Sequence, residues 1–166
     1  MKHVRNILAW LGRIFRKAAP LPAPGPDERI YIAQAEVIAL AKKALHGKVG
    51  LGFLTWLPDA WYYCPSLQYV RRLLAVCKVD QRQYKSGAGD CDDFAKLLHA
   101  TFVDDAWRDG QRRNPHCAGQ AHGLFPKPHA INWVITDDHV FRFIEPQTDA
   151  VFLPNASIKE TWRLMS

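Results

Sequence analysis

The segment Gly87-Ala88-Gly89-Asp90-Cys91-Asp92-Asp93-Phe94-Ala95-Lys96-Leu97-Leu98-His99 constrains this chain more than any other. A glycine-rich turn runs directly into a helical pattern. Phe94, Leu97, Leu98 and Phe102 recur at the i, i+3, i+4 spacing of one apolar helix face. Asp90 is placed to cap the helix, with Asp93 where an N3 carboxylate would support it. Cys91 then falls in the first turn, where the positive end of the helix dipole favours a thiolate.

A thiolate in that position needs a base. His129 opens the strand-like run His129-Ala130-Ile131-Asn132-Trp133-Val134-Ile135-Thr136, and Glu145 closes the next one, from Val140. Asp137-Asp138-His139 reads as a three-residue hairpin connection. With that loop Thr136 pairs with Val140 and Ile131 with Glu145. His129 and Glu145 then become diagonal neighbours on one sheet face; a two-residue loop would put them on opposite faces. Cysteine at a helix start, then histidine, then an acid is the order of papain-like and transglutaminase-like enzymes.

The motifs Gly-Asp-Cys-Asp-Asp-Phe-Ala, His-Ala-x-Asn-x-Val-Ile and Glu-Pro-Gln, in that order, resemble a family of cysteine-protease domains. It includes the domain at the C-terminal end of the fairy-ring mushroom (Marasmius) agglutinin and domains of small bacterial and phage-encoded proteins. The chain is similar, more distantly, to bacterial transglutaminase-like cysteine proteinases, which share an acid-Cys-acid-acid motif. The likeness runs from about Tyr69 to Phe152. It implies an α+β, papain-like/transglutaminase-like fold: a helical part with the nucleophile at a helix N-terminus, packed on a small antiparallel sheet. It also implies a thiol-protease hydrolase acting on a peptide or protein substrate, with Cys91, His129 and Glu145 as catalytic triad.

In that chemistry His129 takes the Cys91 proton, the thiolate attacks a carbonyl carbon, and Glu145 holds the imidazole. The Cys91 amide and a glutamine side chain would stabilise the oxyanion. Gln83 is the candidate for that glutamine, with Gln81 the alternative. Asp90, Asp92 and Asp93 crowd three carboxylates around the cysteine. Capping and dipole compensation explain part of this, and hard oxygens at this density also suit Ca²⁺, with Mn²⁺ as an alternative. The resemblance implies calcium dependence, with Asp92 the first ligand and Gln147 in support. Two other readings stay open. The chain could be a structural or binding component, for example of a phage particle, that keeps the fold without using the triad. It could also be a transglutaminase or amidase.

The remainder of the chain divides into an arm, a linker and a domain. Residues 1–19 read as a basic amphipathic helix, with Val4, Ile7, Leu8, Leu11, Ile14 and Phe15 on one face; it would meet a partner protein or a membrane surface. Residues 20–26 are a proline-rich linker, and residues 27–166 form the domain. Helices are predicted for Glu28–Leu45, capped by Asp27, and for about Ser66–Val76. The helix from Cys91 is predicted to end near Trp107 or Arg108. Residues 48–57 give no clear pattern, and 108–127 read as a long loop. A short strand and a last helix are predicted for 151–165, capped near Asn155 or Ser157, with Trp162 packing inward. The hydrophobic content of 48% fits one globular domain. No apolar run is long enough to span a bilayer. The net charge of +6, part of it from Arg108, Arg112 and Arg113, is too mild to indicate specific nucleic-acid binding. Location in the cytoplasm or on a virion is expected, and secretion is disfavoured because Arg13, Arg16 and Lys17 crowd the apolar core of a leader. Cys64, Cys77, Cys91 and Cys117 lack a disulfide-framework spacing and are expected to be reduced. The spacing of His116, Cys117 and His122 matches no common zinc signature.

Overall fold

The computed structural model describes residues 30–109, 114–156 and 158–166. The expected arm (1–19) and linker (20–26), with Asp27, Arg112, Arg113 and Ser157, lie outside them. Strand β1 (Ile30–Ala33) leads into helix α1 (Gln34–Ala44), followed by β2 (Val49–Trp56) and β3 (Trp61–Cys64). Helices α2 (Leu67–Cys77) and α3 (Cys91–Arg108) come next, then β4 (Ala118–Leu124), β5 (Pro128–Ile135), β6 (Phe141–Glu145), β7 (Ala150–Phe152) and β8 (Glu160–Met165).

A six-stranded sheet has the order β2-β8-β4-β5-β6-β7, and β1 pairs with β3 in a separate two-stranded sheet. The large sheet is mixed, because β2 runs parallel to β8 while every other pair in it is antiparallel. The expected fold, a helical part on a small antiparallel sheet of papain-like type, is therefore corrected. Sheet dominates, and the C-terminal strand is inserted inside it.

The side chains of β5 explain the layering. Ile131, Trp133 and Ile135 join Phe141, Phe143 and Leu164 in a core that also holds Val37 and Ala41 of α1 and Ile32 of β1. Val134 and Ile144 join the other core, with Val70, Leu73 and Leu74 of α2 and Phe94, Leu98 and Phe102 of α3. Both faces of the strand are thus covered, and residues 130–135 are buried throughout. Each such large side chain contributes about 1.5–3 kcal/mol on burial. The Trp133 ring stacks on Phe141 with centroids 5.9 Å apart and planes at 12°. Its Nε1–H donates to the carbonyls of Gln120 (3.1 Å) and Met165 (3.2 Å), tying β5 to β4 and β8.

Local signals account for the helices. Ser66 caps α2, its hydroxyl accepting from the Tyr69 N–H at 3.1 Å, a contact worth about 1 kcal/mol. Lys78, at φ 59°, turns the chain out of the helix. Helix α3 starts at Cys91 and ends at Arg108, as its periodicity predicts.

Four sequence expectations change. The helix predicted from Glu28 begins at Gln34, after a strand. Residues 49–56 form an edge strand. The supposed loop 108–127 contains β4. The last helix is instead β8, and Trp162, expected to pack inward, is 40% exposed. Among the described residues no helix is long and apolar enough to cross a membrane.

Candidate functional site

The turn before α3 is built on Gly87, whose φ of 75° is a conformation that side-chain-bearing residues rarely adopt. The Lys85 N–H donates to the Gly89 carbonyl at 2.9 Å. Asp90 stands at the N-cap with an extended backbone but makes no side-chain cap bond. Its Oδ2 instead accepts from the Gly87 N–H at 3.3 Å, so the carboxylate braces the turn rather than the helix.

Asn132, fully buried on β5, holds α3 in place. Its Nδ2 donates to Ala95 O of α3 at 2.9 Å and to Gly119 O of β4 at 3.1 Å. This contact lies one turn from Cys91 and brings the half-buried cysteine to the end of the sheet where His129 sits.

The β5–β6 register follows the three-residue turn. Asn132 pairs with Ile144, Trp133 with Phe143 and Ile135 with Phe141, and the Thr136 N–H donates to Val140 O at 3.3 Å. His129 and Glu145 share a face, and His129 Nε2 lies 2.7 Å from Glu145 Oε2, with side chains 15% and 21% exposed. Glu145 Oε1 accepts from the Gln147 N–H at 3.2 Å, so both carboxylate oxygens are held. Gln147, expected to support the acidic cluster, meets Glu145 through its backbone instead.

Cys91 and His129 line one open cleft of about 570 Å³, together with Leu54, Asp92, His122, Trp162 and Arg163. Among the described residues no hydrogen bond joins the Cys91 thiol to the His129 ring. Gln83 and Gln81 are exposed and are not among the residues that line the cleft.

Four residues reach the cleft from strands that the sequence did not disclose, the first being Leu54 of β2. His122 comes from β4, Trp162 and Arg163 from β8. His122 Nε2 is shielded from solvent without a hydrogen-bond partner. Burial, helped by the Arg163 charge, holds the His122 pKa below its ordinary value. Alternation of small and polar residues across 118–124 was the available signal for β4.

Asp90, Asp92 and Asp93 bring carboxylate oxygens within 4.8 Å of one another, the one grouping of metal-ligating residues among those described. Asp92 is held below the usual carboxylate range, first by a hydrogen bond with Asp90 and then by Lys96. Asp90 is raised, first by that same bond. Lys96 contacts Asp92 and lies 3.3 Å from Asp93. Asp90 Oδ1 is shielded from solvent without a hydrogen-bond partner. His116 is not in that grouping. It is buried, with Nε2 2.6 Å from Asp105 Oδ2.

No family model matches the chain, and no curated protein matches it. Solved structures do. PSL1a, in a structure described as a PSL1a-E64 complex, superposes with a TM-score of 0.69 at 19% identity, covering 82% of this chain and 51% of that one. The Polyporus squamosus lectin, bound to the human-type influenza-binding epitope Neu5Acα2-6Galβ1-4GlcNAc, gives 0.64 at 19% identity, covering 82% and 49%. The chain spans about half the length of these solved chains. At this identity the likeness shows the fold. That shared fold, which in this chain has a mixed six-stranded sheet, corrects the resemblance to a papain-like cysteine-protease domain. The thiol-protease, hydrolase and transglutaminase-like readings, with peptide hydrolysis as the function, are set aside with it.

Proposed function

We propose that the chain is a ligand-binding module and that the cleft between α3, β4, β5 and β8 takes a glycan. The observation that carries this is the lining. The half-exposed Trp162 indole stands beside Arg163, His129 and Asp92 in one open cleft. An aromatic face stacks on sugar C–H groups. A carboxylate and an imidazole hydrogen-bond hydroxyls. A guanidinium pairs with a carboxylate, the group that a sialylated glycan carries. The solved lectin bound to a sialylated epitope supports the same ligand class.

Calorimetric titration with Neu5Acα2-6Galβ1-4GlcNAc and with Galβ1-4GlcNAc tests this reading. Binding that weakens tenfold or more in Trp162→Ala, with Arg163→Ala reducing the preference for the sialylated sugar, is the expected result. Absence of binding to both sugars by a folded protein would overturn it.

A second reading attaches to the thiol. Cys91 and His129 share the cleft, and Glu145 fixes the ring. Here Cys91 is the reacting group, His129 its base and Glu145 the orienting acid, with E64, which one neighbour binds, as a ligand. Alkylation of Cys91 by iodoacetamide would then be slowed by E64 and by His129→Ala. Equal rates in all conditions would rule this out.

The acidic cluster is proposed as a Ca²⁺ site, with Mn²⁺ as alternative, because hard carboxylate oxygens converge and Asp90 Oδ1 lacks a partner. Residues 1–19 are proposed to bring the module to a partner protein or membrane surface.

A further inference from the structure

Cys64 ends β3, and Cys117 stands immediately before β4. Their segments meet in a parallel bridge between Tyr63 and His116. The Tyr63 N–H donates to Pro115 O at 2.8 Å, and the Cys117 N–H donates back to Tyr63 O at 2.6 Å. Residues 64 and 117 therefore continue side by side. Bridged backbones lie about 4.8 Å apart, inside the Cα separation of about 4.4–6.8 Å over which a disulfide closes. The Cys64 thiol is near enough to Cys117 to raise its pKa. Both cysteines are free and essentially buried, at 1% and 0% exposure.

Packing alone accounts for two buried thiols, since cysteine behaves as a small apolar residue. It does not account for their adjacent register across the Tyr63–His116 bridge, which joins the two-stranded sheet to the segment entering the large one.

We infer that Cys64 and Cys117 are a latent disulfide clasp between the two sheets, closed by exchange with a small-molecule disulfide. One thiolate attacks the small disulfide, forming a mixed disulfide and releasing one thiol. The second protein thiolate attacks the protein-bound sulfur, forming the Cys64–Cys117 bond and releasing the second thiol. The two protons lost by the cysteines go to the two departing thiolates. The protein pair is oxidised by two electrons and the small disulfide is reduced by two. Burial holds the Cys117 thiol well above its ordinary pKa, so exchange proceeds through local opening rather than in the closed fold. The clasp would tie residues distant in sequence, which restricts the unfolded chain. It does not depend on the ligand proposed for the cleft.

The test treats the full chain with oxidised glutathione in dilute, non-denaturing urea, followed by intact mass and non-reducing peptide mapping. The expected product lacks two hydrogens, carries a Cys64–Cys117 cross-linked peptide and reverts with dithiothreitol. Its thermal midpoint rises by about 5 °C or more. Cys64→Ser or Cys117→Ser abolishes the cross-link, whereas Cys77→Ser and Cys91→Ser do not. Should either serine variant fail to fold, the wild-type peptide map decides alone. Glutathione adducts at Cys77 or Cys91 with Cys64 and Cys117 still reduced, or a clasp that lowers the midpoint, would overturn the inference.

Discussion

His129 Nε2 lies 2.7 Å from Glu145 Oε2, across a hairpin whose register is set by Asp137-Asp138-His139. Glu145→Ala leaves the mostly buried imidazole without this acceptor, which costs about 1–3 kcal/mol. Glu145→Gln keeps an acceptor oxygen and costs less. Urea midpoints of the three proteins check the order. A Glu145→Ala midpoint equal to that of the wild type would mean that the pair contributes nothing to holding the site.

Calcium should stabilise the folded chain if the acidic cluster takes it. A ligand at a hundred times its dissociation constant adds about 2.7 kcal/mol. Differential scanning fluorimetry with millimolar calcium should show an upward shift that chelator reverses and that Asp92→Asn or Asp90→Asn removes. An equal shift in Asp92→Asn would place the ion elsewhere.

Asp149 supplies a pH dependence. Burial, with the nearby Asp80 charge, raises its pKa to about 6, and its Oδ1 has no partner. The folded state therefore binds this proton more tightly than the unfolded chain. The resulting stability is fully present below the ordinary carboxylate pKa and is lost as pH rises through about 6. Asp149→Asn keeps the positive φ of 57°, which asparagine tolerates, and removes the buried charge. A gain of about 1 kcal/mol at pH 7.5, discounted for solvent screening, is expected, with no gain at pH 4. A constant difference between the two pH values would exclude charge as the cause.

Gly119 admits no side chain. A Cβ there would sit 1.8 Å from the Met165 carbonyl oxygen, on backbone that cannot move without breaking the β4–β8 pairing. Gly119→Ala should lose the cooperative unfolding transition or lower its midpoint by more than any surface alanine. A near-wild-type melt would show that β8 can shift.

That close approach also explains what the sequence concealed. Ala118-Gly119-Gln120-Ala121-His122-Gly123-Leu124 looks like a loop because Gly119 and Gly123 make room for the β8 backbone, and only the small side chains of Ala118 and Ala121 enter the cores. Strand β8 looks helical because Thr161 and Leu164 are its buried positions, a spacing of three imposed by an irregular register. Helix α3 and the β5–β6 hairpin were legible because short-range periodicity and turn length determine them. The His129–Glu145 pair was legible for the same reason. His122, Trp162 and Arg163 were not, because their place in the cleft depends on where β8 inserts.

That insertion has a consequence for biosynthesis. Strand β2 has one neighbour in the large sheet, β8, and β8 comes after every other described element in the chain. While the ribosome makes residues 57–159, β2 emerges without its partner, and β4 lacks one of its two. The sheet closes only when residues 160–165 have emerged, so its assembly waits on the last described strand. Until then the nascent chain presents two unpaired strand edges to its surroundings, the condition under which chaperones and neighbouring copies compete with native pairing.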